Sequence, residues 1–136
     1  MNCVRELIQA AAVCDLPNVQ RLLDRGANPN GRDEDGWSPL LAASVTGSPE
    51  VVAALLDSSA DVNSRGRDGS TPLMKATLWR RVEIVRLLLE RGANAWIADE
   101  RGWTAMNIAQ VVGHRELIEL LDRPVKGFGE WGSNEP

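Results

Sequence analysis

Apolar residues recur along the chain in short blocks that share one spacing. Val51, Val52, Leu55 and Leu56 form one block, and Ile84, Val85, Leu88 and Leu89 another. Positions i, i+1, i+4 and i+5 lie on one face of a helix, so each block predicts a short helix with a single buried face. Ser48-Pro49 leads into one such helix and Asp15-Leu16-Pro17 into another, while Gly26 and Gly92 close two of them. A second kind of helix precedes these. It opens at Ser38 or Thr71, whose hydroxyls suit an N-cap, followed by Pro39 or Pro72 at the first helical position, where a missing N–H costs nothing. Gly47 and Gly113 end it by taking the left-handed conformation that other residues resist. Polar runs such as Asn63 to Gly69 have turn composition and predict projecting β-turn fingers.

The two helices and their turn repeat. Asp35-Gly-Trp-Ser-Pro-Leu40, Asp68-Gly-Ser-Thr-Pro-Leu73 and Arg101-Gly-Trp-Thr-Ala-Met106 align without a gap at a period of 33 residues. The same offset pairs Leu55-Leu56 with Leu88-Leu89 and Ala60-Asp61 with Ala93-Asn94. One period earlier, Leu22 to Asn28 aligns with Leu88 to Asn94, and Ala10 joins the column of Ala43, Ala76 and Ala109. Four repeats therefore cover about 1–33, 34–66, 67–99 and 100–123. A G-x-T-P-L motif, an alanine, a two-helix body and L-L-x-x-G-A-x-x-N resemble the ankyrin repeat. The resemblance implies an all-α ankyrin-repeat solenoid of four helix-turn-helix repeats joined by β-turn fingers, and a function in holding another protein.

No single helix pair buries its own apolar face, so neighbours must stack and the end repeats need polar outer faces as caps. Asn2, Arg5, Glu6 and Gln9 serve in front, and Arg115, Glu116 and Glu119 behind. The repeat domain spans 1–123. The glycine-rich tail, 124–136, starts with a helix-breaking proline and is not a fifth repeat. Phe128 and Trp131 either fold back on the last helix pair or form a separate binding motif.

Departures from the repeat point to the binding surface. Where the family usually places histidine after T-P-L, the chain has Ile8, Leu41, Met74 and Asn107, which either fill a half-buried site or extend an apolar surface. Before the end of each first helix stand Ala12-Val13, Val45-Thr46, Leu78-Trp79 and Val111-Val112, where the family tends to be polar. Stacked at 8–10 Å per repeat, these pairs predict an apolar column some 30 Å long on the concave face. Trp37 and Trp103 share one finger position two repeats apart, roughly 20 Å, and Trp79 lies between them on the inner helix. Trp96 replaces the usual asparagine of its turn. Tryptophan and arginine dominate interface hot spots. The expected partner-binding residues are therefore Trp37, Leu41, Val45, Thr46, Met74, Leu78, Trp79, Arg80, Trp103, Val111 and Val112.

Arg80-Arg81 takes the place of Gly47-Ser48, so positive φ at Arg80 costs on the order of 1 kcal/mol. Repeat three is also the basic one, with Arg65, Arg67, Lys75, Arg80, Arg81, Arg86 and Arg91 between acidic fingers. These charges form either a solvated face or a patch that steers an acidic partner.

Composition narrows the function classes. Apolar content of 43% and charged content of 25% belong to a folding globular chain rather than a disordered one. A net charge of −4 opposes the phosphate neutralisation that drives nucleic-acid binding, so no nucleic-acid partner is expected. No apolar run reaches ~18 residues, which excludes a helical membrane span, and residues 1–15 lack a secretory pattern. Cys3 and Cys14, roughly 16 Å apart at helical rise, are too distant for a disulfide, and the single histidine, His114, rules out a familiar zinc set. No cofactor and no catalysis are expected, and the free thiols suit a cytoplasmic setting, the nucleus not being excluded. A non-catalytic adaptor or inhibitor and a homodimer closed by the same surface both fit. An open groove disfavours a small-molecule ligand.

Overall fold

A computed structural model describes residues 3–122. Among them are eight helices: α1 (Cys3–Ala12), α2 (Leu16–Asp24), α3 (Pro39–Thr46), α4 (Pro49–Asp57), α5 (Pro72–Leu78), α6 (Val82–Glu90), α7 (Ala105–Val112) and α8 (Arg115–Asp122). They pack in consecutive pairs, and the pairs stack. The odd-numbered helices form an inner layer in which α1 meets α3, α3 meets α5 and α5 meets α7, while the even-numbered helices form an outer layer in the same order. Helices this short are marginal alone, so their stability comes from stacking. Asn2 and the segment 123–136 lie outside the described residues, and with them the cap expected at Asn2 and the alternatives for Phe128 and Trp131.

Close stacking of the inner layer depends on a column of alanines. Ala10, Ala43, Ala76 and Ala109 are buried, three of them completely, and a larger side chain there would push adjacent helices apart. Leu7, Leu40 and Leu73 from the inner layer and Val19, Val51, Val52, Leu55, Ile84, Val85, Leu88 and Leu117 from the outer one complete the core.

The helix starts form as their sequences dictate. Ser38, Thr71 and Thr104 have extended backbones, and each side-chain oxygen accepts the N–H three residues on, that of Leu41, Met74 or Asn107. In α7 the reciprocal bond is present as well, because the Asn107 side chain accepts the Thr104 N–H at 2.9 Å and completes a capping box. Ile8, Leu41 and Met74 at the same repeat position are instead buried. This corrects the expectation that Leu41 and Met74 extend the binding surface. At 1% and 2% exposure Leu41 and Met74 are covered by the stack, whereas Asn107, capped in the same way in the fourth pair, is exposed.

The inner helices end at one repeat position on residues with φ between 60° and 94°: Cys14, Gly47, Arg80 and Gly113. Arg80 carries the expected strain, and Cys14 carries it too. Arg81 then reaches back one repeat, its Nε donating to the carbonyl of Val45 at 2.8 Å, while Arg80 reaches forward to the carbonyl of Val112 at 3.5 Å. A guanidinium at a helix's carboxyl end satisfies an orphan carbonyl and complements the helix dipole.

Other long side chains also bridge repeats. Arg91 pairs with Asp57 at 3.0 Å, Arg86 with Glu116 at 3.0 Å, Arg67 bonds the Glu34 carbonyl and Arg65 the Ala98 carbonyl. The basic character of repeat three is thus largely spent on holding its neighbours. Asparagines link the turns: Asn30 accepts the Asp61 N–H at 2.7 Å and donates to Ser59, and Asn63 accepts the Asn94 N–H at 2.8 Å. The fingers are turns, closed by bonds such as Gly66 N–H to Ser70 O at 2.8 Å. Adjacent fingers touch where the Glu100 N–H donates to Asp68 O at 3.0 Å. Gly69, at φ 82°, is needed there because a Cβ would sit 3.0 Å from the Glu100 nitrogen.

Candidate partner-binding surface

The finger tryptophans are held by aspartates of the same turn. Asp33 Oδ1 accepts the backbone N–H groups of Asp35 and Trp37, both at 2.9 Å. Asp99 Oδ1 does the same for Arg101 at 2.9 Å and Trp103 at 3.0 Å, and its Oδ2 takes the Arg101 guanidinium at 3.2 Å. Burial pushes the Asp99 carboxyl up, but the Trp103 and Arg101 N–H groups and the Arg101 charge outweigh it and hold the group below its ordinary value. In the intervening finger Gly66 replaces this aspartate and Ser70 the tryptophan. There Asp68 takes over, accepting both the N–H and the hydroxyl of Ser70, and the hydroxyl bond chiefly lowers its pKa.

Each finger tryptophan is half-buried under a cation. The Lys75 Nζ sits 4.9 Å from the centre of the Trp37 ring, and the Arg101 guanidinium carbon 5.5 Å from that of Trp103. Two clefts open beside these rings between finger and inner helix. One, about 380 Å³, is lined by Trp37, Leu41, Arg67, Asp68, Lys75 and Glu100 among others. The other, about 430 Å³, brings Trp103 and Val111 together with Arg101, Asn107 and Gln110. Lys75 and Gln110 were not legible as cleft residues, because their contacts depend on how far the finger bends over the helix.

The apolar column is real in part. Val13, Leu78, Trp79 and Val111 are 72%, 50%, 53% and 69% exposed. At repeat two it is interrupted, since Val45 and Thr46 are half-buried. Arg81 lies over this turn, and the Thr46 hydroxyl is directed at the Ala11, Ala42 and Ala43 carbonyls rather than at solvent. Val112 is half-buried and Arg80 exposed. The exposed apolar area therefore centres on Leu78, Trp79 and Val111, with a tryptophan cleft in the finger region of repeats two and four. Trp96, 66% exposed, belongs to the turn after α6 and takes no part in either cleft.

A stacked layer of short inner helices, a second layer of outer helices and linked turn fingers carry one structural period from end to end. The family model of ankyrin repeats, in three copies, matches residues 7–99. The chain belongs to the ankyrin repeat family. Ankyrin repeats are generally protein–protein interaction modules. The fourth ankyrin-like pair, α7 and α8, lies beyond the matched segment and continues the stack. No curated protein matches the chain.

Proposed function

We propose that the chain is a non-catalytic adaptor or inhibitor that grips one protein partner along its concave face. Leu78, Trp79 and Val111 provide the apolar centre, Arg80 and the half-buried Val45, Thr46 and Val112 border it, and the clefts at Trp37 and Trp103 receive projecting side chains. The observation that carries the reading is the exposure of Leu78, Trp79 and Val111, each at least half open to solvent at the ends of the stacked helices α5 and α7; among the described residues Val13 and Trp96 are the other large apolar side chains exposed to this degree. Exposed apolar clusters of this kind mark interaction surfaces, and tryptophan with arginine is the usual hot-spot chemistry. The single histidine is engaged in the fold, His114 Nδ1 accepting the Leu117 N–H at 3.4 Å as a helix cap. No helix of the described residues is long and apolar enough to cross a membrane. The two free cysteines suit a reducing compartment such as the cytoplasm or nucleus.

The test compares affinity capture by the native chain with capture by a Leu78→Ala, Trp79→Ala, Val111→Ala variant whose helicity is unchanged. Loss of at least one stoichiometric partner supports the reading, and retention of every partner overturns it. Light scattering of the purified chain decides the competing assembly: a dimer that dissociates on Trp79→Ala assigns the surface to a second copy instead.

A further inference from the structure

Two neighbouring residues of the turn after α2 are fixed by separate contacts. Asn30 joins this turn to the one after α4: its Oδ1 accepts the Asp61 N–H at 2.7 Å and its Nδ2 donates to the Ser59 carbonyl at 3.1 Å. Gly31 packs against α1, where a Cβ would stand 2.4 and 2.7 Å from the two methyl groups of Val4. Valine is stiff at χ1 and does not swing these methyls aside cheaply, so the packing of α1 favours glycine at 31. At the same repeat positions the next turn has Asn63 followed by Ser64. The asparagine link recurs there, and the glycine does not.

The adjacency of Asn30 and Gly31 has a chemical consequence. The backbone nitrogen that follows an asparagine can attack the Cγ of its side chain, and glycine permits this best, because no side chain hinders the approach and its backbone turns freely. No other asparagine of the chain precedes glycine. Asn28 precedes Pro29, which has no N–H, and Asn18 and Asn107 precede the β-branched Val19 and Ile108. Asn30 is exposed, so water reaches it. In the docked stack the reacting groups are engaged elsewhere. Both ends of the Asn30 amide are bonded to the following turn, and the Gly31 N–H donates to the Asn28 carbonyl at 3.1 Å.

We propose that Asn30 is a self-modification site whose rate is set by the docking of its turn on the next. The Gly31 nitrogen gives up its proton and bonds the Asn30 Cγ. The Cγ–Nδ2 bond breaks, Nδ2 leaves with that proton as ammonia, and a five-membered imide closes. Water then opens the imide at Cγ to give aspartate, or at the backbone carbonyl carbon to give isoaspartate, whose main chain runs through the side chain. Either product loses the Nδ2 donor to Ser59 and places a new negative charge beside Asp61. Isoaspartate also lengthens the turn by one methylene. Conversion thus records how often the first turn has opened, and it removes part of the latch that had slowed it.

The experiment holds the full chain at mildly alkaline pH, folded and in urea, and follows each asparagine by peptide mapping that separates aspartate from isoaspartate. The folded chain should convert at Asn30 ahead of every other asparagine, roughly tenfold or more slower than the chain in urea, because local opening must precede attack. Val4→Ala, which frees α1 over Gly31, should speed conversion of the folded chain and leave the rate in urea unchanged. Adding Gly31→Ala to Val4→Ala removes the clash along with the glycine, and conversion should fall below that of Val4→Ala alone, folded and in urea. Converted chain, separated by its extra charge, should melt lower than the unmodified chain. Three results overturn the proposal: folded and urea rates that coincide, a folded rate indifferent to Val4→Ala, or a folded chain without product at Asn30 long after the urea sample has converted fully. Equal melting of converted and unmodified chain would overturn the loss of the latch. None of these measurements depends on Leu78, Trp79 or Val111.

Discussion

Arg81 Nε donates to the carbonyl oxygen of Val45 at 2.8 Å, joining the turn of one repeat to the inner-helix end of the repeat before it. The guanidinium occupies the space left by Gly47, where a Cβ would lie 3.0 Å from the Arg81 Cδ and 3.1 Å from its Nε. Glycine at this position thus serves two needs, a φ of 94° and room for a side chain from the next repeat. Arg81→Ala should cost about 1–2 kcal/mol in urea unfolding through the lost charge-assisted bond and packed stem. Gly47→Ala should cost roughly 1 kcal/mol or more. The double variant should lose less than the two together, because the clash disappears with Arg81. Strictly additive losses would show that the contact carries no coupling.

Arg80 presents the opposite case. It holds φ at 60° without glycine, and its bond to the Val112 carbonyl, at 3.5 Å, is long. Relief of backbone strain should therefore exceed what the bond contributes. Arg80→Gly is expected to raise stability by about 0.5–1 kcal/mol, measured by the urea midpoint at constant slope. If Arg80 borders the partner site, the same variant binds its partner more weakly while unfolding later, and that opposition separates a binding role from a structural one.

The asparagine links differ in how many groups each satisfies. Asn63 provides an acceptor to Asn94, whereas Asn30 accepts from Asp61 and donates to Ser59. Asn63→Ala should cost about 1 kcal/mol, and Asn30→Ala more. Asn30→Asp keeps the acceptor and loses the donor, so it should fall between native and alanine. Equal costs for the two alanine variants would refute the second bond.

Asp99 and Asp68 are both held below the ordinary carboxyl value of 3.8. A carboxyl whose pKa is lower folded than unfolded contributes stability above about pH 4 and loses it as the pH falls through the lowered value. Stability should accordingly drop on acidification below that point. Asp99→Asn should lower stability at neutral pH and flatten the acid limb, with Trp103 emission shifting to the red as its turn loosens. An acid limb as steep as that of the native chain would show that other carboxyls govern it.

Much of the architecture was legible because each local signal serves the same outcome. Ser38, Thr71, Pro39 and Pro72 are chemically committed to helix starts, Gly47 and Gly113 to left-handed ends, and their recurrence at one period left stacked helix pairs as the way to bury the apolar blocks. Asn107 was legible as a departure but not as a capping box, since the reciprocal bond needs the Thr104 backbone in place. Leu41 and Met74 were apolar in a position where the family is polar, and that fact is compatible with either a surface or a core.

Periodicity and cap chemistry, both local properties, determined from the sequence alone that this protein is a stack of short helix pairs with turn fingers. Tertiary structure decided which apolar departures reach solvent, because exposure depends on what the adjacent repeat lays over each position. Arg81 and the Thr46 hydroxyl, tied to the neighbouring inner helices, close the apolar column at repeat two, while Leu78, Trp79 and Val111 stay open. Burial in a stack is decided between repeats, by side chains about one period apart in the chain, and no pattern within a single repeat records it.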